Sequence, residues 1–290
     1  MKKAIILLVF AVAALMGSGC YIGNVPFGAG DHLVGEEYPD AEKYQVGAFT
    51  YTADSVNDVE VYWRSGEVRI VESDSPQLSV RESGEELAED IAMHSLLEDG
   101  ILRIRFCQSG AEIYVNPSDK YLTLEVPKGI DLSIHTTAAV TRADTLEQNS
   151  ILISVHSGDT QLGTVTAKEV DLSSSAGGIH ADSIFVQKLR CSASSGSVRL
   201  DSITADTAEI ITSSGNVELT LLEAPTVMIR TSSGDVHAAL AEGGALLAYT
   251  SGSGQLRTRT AYERRGDLYV FGSGESSLTV ETSSGNLEIQ

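Results

Sequence analysis

Cysteine, proline, aromatic residues and positive charge are all scarce in this chain of 290 residues. Three cysteines are too few for a disulfide scaffold, and six prolines among 27 glycines favour short strands with polar turns. Lys and Arg number 20 against 40 Asp and Glu, and residues 31–100 alone hold 18 acids and four bases. Such a surface repels phosphate backbones, so nucleic acid is excluded as a partner.

Long apolar runs are also missing, except for one at the N-terminus. Lys2 and Lys3 precede the apolar segment 4–16, which is too short to cross a bilayer of about 30 Å as a helix. Residues 17–20, Gly-Ser-Gly-Cys, resemble a bacterial lipobox, although an aliphatic residue is usual at the first position. We therefore expect residues 1–19 to be a lipoprotein signal peptide and Cys20 to carry lipid.

The lipid on Cys20 would anchor the protein to the cell envelope, on the extracytoplasmic face of a bacterial membrane. Residues 20–47 have no hydrophobic periodicity and contain glycine, proline and acids, which is typical of a flexible tether. A folded domain is expected over residues 48–290.

Alternating apolar and polar residues begin at Val59 and continue to Ile70 around a Ser-Gly turn, which indicates bent, half-buried strands. Capping-box spacing predicts a short helix near 84–93, and Asp-Gly at 99–100 predicts a hairpin, so a helical or hairpin insert is expected near 84–100. Alternation after this turn directs Cys107 outward, where we expect it to be partly exposed.

The strongest pattern is a 19-residue register that runs without insertion over residues 132–252. Apolar residues recur in columns, the clearest being Leu132, Ile151, Val170, Leu189, Ala208, Val227 and Leu246. The column two residues later includes Cys191, which is therefore expected to be a buried thiol. The register predicts an all-β, parallel β-solenoid with about 19 residues per coil.

Turn residues also recur in this register. A glycine column, Gly158, Gly177, Gly196, Gly215 and Gly234, is attributed to a backbone conformation that a side chain would resist. The preceding Ser and Thr residues are expected to bond to the turn backbone. Beyond residue 252 the phase slips, which indicates a last hairpin or part-coil covering the open edge.

The repeated Thr-Ser-Ser-Gly-Asn/Asp-Val/Leu motifs at 212–217, 231–236 and 282–287 resemble the DUF4097 putative-adhesin β-strand-repeat family, which is related to GIN-domain adhesins. The resemblance covers roughly residues 48–290. It implies a β-solenoid exposed on the cell envelope. The family offers no catalytic residues to transfer to this chain.

One pair of acids stands out within the register. Asp182 and Asp201 fall at the same place in consecutive coils, about one strand spacing apart. Such a pair could serve acid–base chemistry on sugars or bind Ca²⁺, but Gly163 interrupts the column and each Asp-Ser can form a local turn. The histidines have no partner at metal-ligand spacing, so no metal or cofactor is predicted.

These observations favour a non-enzymatic cell-surface lipoprotein with an adhesin-like, scaffolding or sensing role, whose partners are envelope polysaccharide or surface proteins. Two alternatives stay open at this point. The first is a polysaccharide-acting β-helix enzyme that uses Asp182 and Asp201. The second is a calcium-dependent adhesion module that uses the Gly-Asp/Asn turns.

Overall fold

The computed structural model describes residues 33–84, 88–113 and 120–290, so the predicted signal peptide and Cys20 lie outside the described residues. Those residues form β-strands and two short 3₁₀ turns, Ala41–Lys43 and Ala53–Ser55, without an α-helix. Each coil contributes one strand segment to each of two faces, and in the central coils a single 15-residue strand continues from one face into the other. Alternate side chains point between the faces into one core. The all-β solenoid predicted from the register is confirmed. No helix in the described ranges is both long and apolar enough to span a membrane.

The N-terminal part of the fold contains ten strands. They are β1 (Leu33–Val34), β2 (Gln45–Val46), β3 (Phe49–Thr52), β4 (Asp58–Trp63), β5 (Glu67–Glu72), β6 (Gln77–Ser83), β7 (His94–Glu98), β8 (Ile101–Arg105), β9 (Glu112–Ile113) and β10 (Tyr121–Val126). The predicted strands on either side of the Ser-Gly turn are β4 and β5, and β10 stops before Pro127 as proline requires.

The regular coils follow. Their strands are β11 (Asp131–Thr136), β12 (Val140–Glu147), β13 (Ser150–Val155), β14 (Thr160–Ser174), β15 (Ile179–Ala193), β16 (Val198–Thr212), β17 (Val217–Glu223), β18 (Thr226–Thr231) and β19 (Val236–Leu240). Pairing between successive coils is parallel with a 19-residue offset, so Ile151 lies beside Val170 and Val170 beside Leu189. Cys191 is fully buried in this interior, as predicted.

Glycine is required in these turns because neighbouring coils pack too closely to admit a side chain. An added Cβ at Gly177 would overlap the carbonyl oxygen of Gly158, and the same overlap recurs between Gly196 and Gly177. These glycines are not among the residues with positive φ, so what excludes a side chain is the neighbouring coil, and not the conformation of the glycine's own backbone that the sequence suggested. The predicted hydroxyl bonds are confirmed, for example from Thr212 Oγ1 to the Gly215 carbonyl at 2.9 Å.

The C-terminal coils stack out of sequence order. The strands are β20 (Ala245–Ser251), β21 (Leu256–Thr258), β22 (Tyr262–Arg265), β23 (Leu268–Phe271), β24 (Ser276–Thr282) and β25 (Leu287–Ile289). The last two strands lie between two earlier layers, because β24 pairs with β18 on one side and with β20 on the other. In the second face β25 likewise separates β19 from β21.

This arrangement corrects the predicted extent of the regular repeat. Val227 pairs with Leu278, not with Leu246, and the buried residues of β20 are Ala245 and Leu247. The phase therefore breaks before residue 245, at a turn in which Gly243 and Gly244 both have positive φ. The expected terminal hairpin is present, since β22 and β23 form one and β23 covers the edge of β20 in antiparallel pairing.

A similar displacement occurs at the N-terminal end. The coil formed by β4 and β5 lies inside the stack, because β8 and β10 pair with it on one side and β11 and β12 on the other. The β7–β8 hairpin turns through Asp99 and Gly100, both with positive φ, as the Asp-Gly signal predicts.

The predicted helix near 84–93 is wrong for the described residues. Ile91 and Ala92 both donate backbone hydrogen bonds to the carbonyl of Ala88, which makes one turn only, and residues 85–87 lie outside the described ranges. One turn is too short to nucleate a helix. The insert near 84–100 is therefore a turn followed by the hairpin.

Residues 33–47 pack against the domain, which places the start of the fold before the predicted tether boundary at 47. Strand β1 pairs with β9, and the Tyr38 hydroxyl donates to the Cys107 carbonyl at 3.0 Å. Cys107 is only 5% exposed beneath this segment, so the expectation of an exposed thiol is wrong. Cys107 lies two residues beyond the end of β8, and the alternation of apolar and polar residues in that strand could not reveal that a segment 60 to 70 residues earlier covers the thiol. Both Cys107 and Cys191 are free thiols, and burial raises the pKa of each.

Candidate functional site

The acidic pair lies on the outer surface of two adjacent coils. Asp182 is in β15 and Asp201 in β16, between the register pairs Ala181–Leu200 and Ser183–Ser202. The side chain of Asp182 is 64% exposed and that of Asp201 is 33% exposed. The structure therefore brings the two predicted residues together on an open face.

Two basic side chains accompany the acids. His180 Nε2 lies 3.0 Å from Asp182 Oδ1, and Arg199 Nε donates to Asp201 Oδ1 at 3.0 Å. Thr220 Oγ1 donates to the same Asp201 oxygen at 3.3 Å. Sequence reasoning missed the role of His180, although residues two apart on a strand face the same side and this spacing carries the signal.

His180, Asp182 and Asp201 together offer one imidazole nitrogen and two carboxylate oxygens within 4.8 Å of one another. That donor set could contact a divalent cation, but the Arg199 guanidinium already neutralises Asp201 at close range. A third acid is not supplied by the column, because Gly163 interrupts it and Asp144 pairs with Arg69 at 3.3 Å. The arrangement is a surface ion-pair cluster, and it does not favour acid–base catalysis.

Ion pairs of this kind continue along both faces. Among the described residues, the longest set crosses four coils and consists of Arg190–Glu209 at 3.2 Å, Glu209–Arg230 at 3.6 Å and Arg230–Glu281 at 3.0 Å. Each exposed pair contributes roughly 0–1 kcal/mol, so their main effect is to neutralise charge within the faces.

The turns between the two faces present a continuous row of exposed serines, here called the serine ridge. Its members are Ser157, Ser175, Ser194, Ser195, Ser213, Ser214, Ser232, Ser233, Ser283 and Ser284. Their backbone amides bond to the neighbouring coil, as from Ser194 to the Ser174 carbonyl at 3.0 Å. The coil stacking repeats the hydroxyls at the strand spacing of about 4.8 Å.

A buried lysine holds the N-terminal end together. Lys120 Nζ lies 2.8 Å from Glu82 Oε1 and donates to the carbonyls of Ile91, at 2.5 Å, and Phe106. The ammonium also lies 4.0 Å from the centre of the Phe106 ring and 5.0 Å from that of Trp63. Burial lowers the pKa of Lys120, and the neighbouring Glu82 opposes this shift. With its side chain fully buried, this group has a structural role.

Comparison with known proteins adds to this geometry. A sequence model described as Toastrack DUF4097 matches residues 56–290. A "putative adhesin" of Parabacteroides distasonis is 14% identical, with a TM-score of 0.53, over 85% of this chain and 97% of that one. A "putative adhesin" of Parabacteroides merdae has the same identity and TM-score over 85% of this chain and 96% of its own.

A "putative lipid binding protein" of Parabacteroides distasonis is 15% identical, with a TM-score of 0.53, over 84% of this chain and 96% of that one. At these identities the likeness concerns the fold alone. No curated protein matches the sequence.

Proposed function

The chain belongs to the Toastrack DUF4097 family, as its repeats indicate, and on that premise we propose that it is a non-enzymatic adhesin-like protein of the bacterial cell envelope. Solved proteins of the same fold bear the names "putative adhesin" and "putative lipid binding protein". Those names support a surface role, and the ion-paired acids Asp182 and Asp201 support a binding function over a catalytic one.

The observation that carries the proposal is the serine ridge. Hydroxyl groups both donate and accept hydrogen bonds, and here they recur at a fixed spacing along one line of the solenoid. A polymer with a repeating pattern of hydroxyl or amide groups can contact several coils at once. The overall affinity is then much higher than that of any single weak contact. Envelope polysaccharide has this chemistry, and we propose it as the ligand class.

The test compares two triple variants of the full chain. In the ridge variant, Ser195, Ser214 and Ser233 are replaced by Glu. In the control, exposed Gln187, Thr207 and Thr226, which do not belong to the serine ridge, are replaced by Glu. Binding to envelope polysaccharide fractions should weaken at least tenfold in the ridge variant and stay at the wild-type level in the control. Equal binding by both variants, or no binding by the wild type, would refute the proposal.

We further propose that Cys20 carries the lipid that holds the protein at the membrane. The support is its position directly after the apolar segment and two small residues. Palmitate labelling of cells expressing the wild type should label the protein, and labelling should disappear in Cys20→Ala. Undiminished label in that variant would reject the anchor, whatever the result for the serine ridge.

A further inference from the structure

The C-terminal end of the solenoid is basic and has unpaired strand edges. Among the described residues, β21 pairs only with β25 and β22 only with β23, so each face ends in one short edge strand. Four of the arginines of this acidic protein lie within nine residues here, namely Arg257, Arg259, Arg264 and Arg265. All residues of β22 are exposed, and Tyr262 among them is 49% exposed.

Most of this positive charge is not neutralised locally. Arg265 pairs with Glu263 at 2.9 Å, and Arg264 donates to the Gly266 carbonyl at 3.2 Å. Within the described ranges, Arg257 and Arg259 have no carboxylate at ion-pair distance. The middle coils differ, because most of their arginines are paired with acids on neighbouring coils.

The N-terminal end has the opposite charge and a matching architecture. Within the part of the chain that the structure describes, β2 pairs only with β7 and β3 only with β6, so both faces again end in a short edge strand. Residues 36–54, which contain these two strands, have five acids and a single lysine. Val46 of β2 is 36% exposed, which places an apolar side chain on this edge as Tyr262 does on the other.

We propose that copies of this protein associate head to tail, with the β21–β22 edge of one copy against the β2–β3 edge of the next. Unpaired strand edges bind other strands readily, and an edge-to-edge contact would continue both faces of the solenoid. The charges select the orientation, because two basic ends or two acidic ends repel each other and only opposite ends attract.

Such a contact joins different surfaces of the two copies, so it is not self-closing. Repetition of the contact generates an open chain of molecules, not a symmetric dimer. The attraction is largely between exposed charges, so it weakens as salt is raised. This inference does not depend on the proposed polysaccharide binding, because the serine ridge runs along the turns and not at the ends.

Crosslinking of the full chain purified from membranes tests the contact. In the double variant Val46→Cys/Glu263→Cys, a flexible bis-maleimide should produce a ladder of covalent multimers, whereas each single variant should give dimers at most. The background is low because Cys107 and Cys191 are buried and because the third cysteine, Cys20, is the one proposed to carry lipid. The control pair, Phe185→Cys/Ile211→Cys, places exposed thiols on middle coils and should give no ladder. A missing ladder, or an equal ladder from the control, would overturn the proposal.

Charge reversal supplies an independent measurement by sedimentation velocity. Arg259→Glu/Arg264→Glu should reduce the associated fraction at least fivefold, and adding Glu42→Arg/Asp54→Arg to the same chain should restore it. Lys168→Glu/Lys188→Glu makes the same charge change on the middle coils and should leave association unchanged. A wild type that stays monomeric at all concentrations, while its basic end binds a polyanion such as heparin, would instead assign this end to an anionic polymer and overturn the proposal.

Discussion

The carbonyl oxygen of Gly158 occupies the space that a side chain on Gly177 would need. The same relationship repeats from coil to coil along the turn column, so one backbone oxygen after another lies against the next glycine. The glycines of the turn motif therefore allow neighbouring coils to pack closely, and the serines that precede them are exposed to solvent.

Gly177→Ala should lower the free energy of unfolding by about 2–3 kcal/mol, because the new methyl group must displace the backbone of the adjacent coil. The matched control is Gly178→Ala. A Cβ there would meet its nearest atom, Asp159 Oδ1, at 3.6 Å, so the change should stay within about 0.5 kcal/mol. Urea unfolding measures both, and equal effects would contradict the packing explanation.

Leu278→Ala should cost about 2–5 kcal/mol, although the residue is only 12 positions from the end of the chain, because it is 1% exposed in an internal layer. Leu256→Ala, in the outermost strand of its face, should cost about 1 kcal/mol or less, since that side chain is only partly buried. Thermal and urea denaturation measure the loss of stability in Leu278→Ala and in Leu256→Ala. A larger loss for Leu256→Ala would place the layers in sequence order instead.

Glu82→Gln should destabilise the protein by about 3 kcal/mol, because it leaves the buried Lys120 ammonium without its counter-charge. Lys120→Met combined with Glu82→Gln removes the isolated charge and should recover part of this loss. Urea unfolding of the two variants measures the difference. A double variant no more stable than Glu82→Gln alone would show that charge burial is not the cause.

Tyr38 should be the source of an alkaline loss of stability. Burial raises its pKa from 10.0 to about 12, so the folded state favours the neutral phenol. Its contribution to stability is full below pH 10 and is lost as the pH rises through about 12. Burial also raises the pKa of Tyr62, so more than one tyrosine should titrate late. Tyrosinate absorbance should show that the component of the wild type that titrates near pH 12 is absent in Tyr38→Phe.

At neutral pH, Tyr38→Phe should cost about 1 kcal/mol for the lost hydrogen bond to the Cys107 carbonyl. A variant with unchanged stability and an unchanged titration curve would mean that residues 33–47 do not pack on the domain in solution.

Calcium chelation should leave the melting temperature of the wild type unchanged, because Arg199 already neutralises Asp201 in the cluster with His180 and Asp182. Arg199→Gln removes that positive charge while keeping a polar side chain. This variant should gain a calcium-dependent rise in melting temperature, since a ligand that binds only the folded state stabilises it. A chelator effect in the wild type would restore the calcium-dependent alternative.

The interior of the regular stack could be predicted from the sequence because each coil repeats one local pattern. Ile151, Val170 and Leu189 lie 19 residues apart, and only a parallel stack of coils brings them side by side. The same register places Asp182 beside Asp201. The repeat length predicts these contacts because residues one repeat apart in the chain lie side by side in adjacent coils.

The order of the layers at the ends could not be predicted in this way. The segment 276–289 has the same strand–turn–strand pattern as any other coil, so its sequence fits equally well inside the stack or at its end. The turn at Gly243 and Gly244 sets the order of the layers. It places β20 one layer beyond the position next to β18, and β24 occupies the layer between them. Similarly, Cys107 is covered by the segment that contains Tyr38, and that segment has no hydrophobic periodicity from which its packing could be predicted.

The position of β24 and β25 has a consequence for biosynthesis. A ribosome synthesises these strands after β20 and β21, yet they form an internal layer between β18–β19 and β20–β21. A nascent chain that lacks them cannot close the stack, and two edges that should be joined stay open. The β20–β21 layer therefore joins the stack only after β24 and β25 have been made, and a product terminated between β23 and β24 would have a gap in its core.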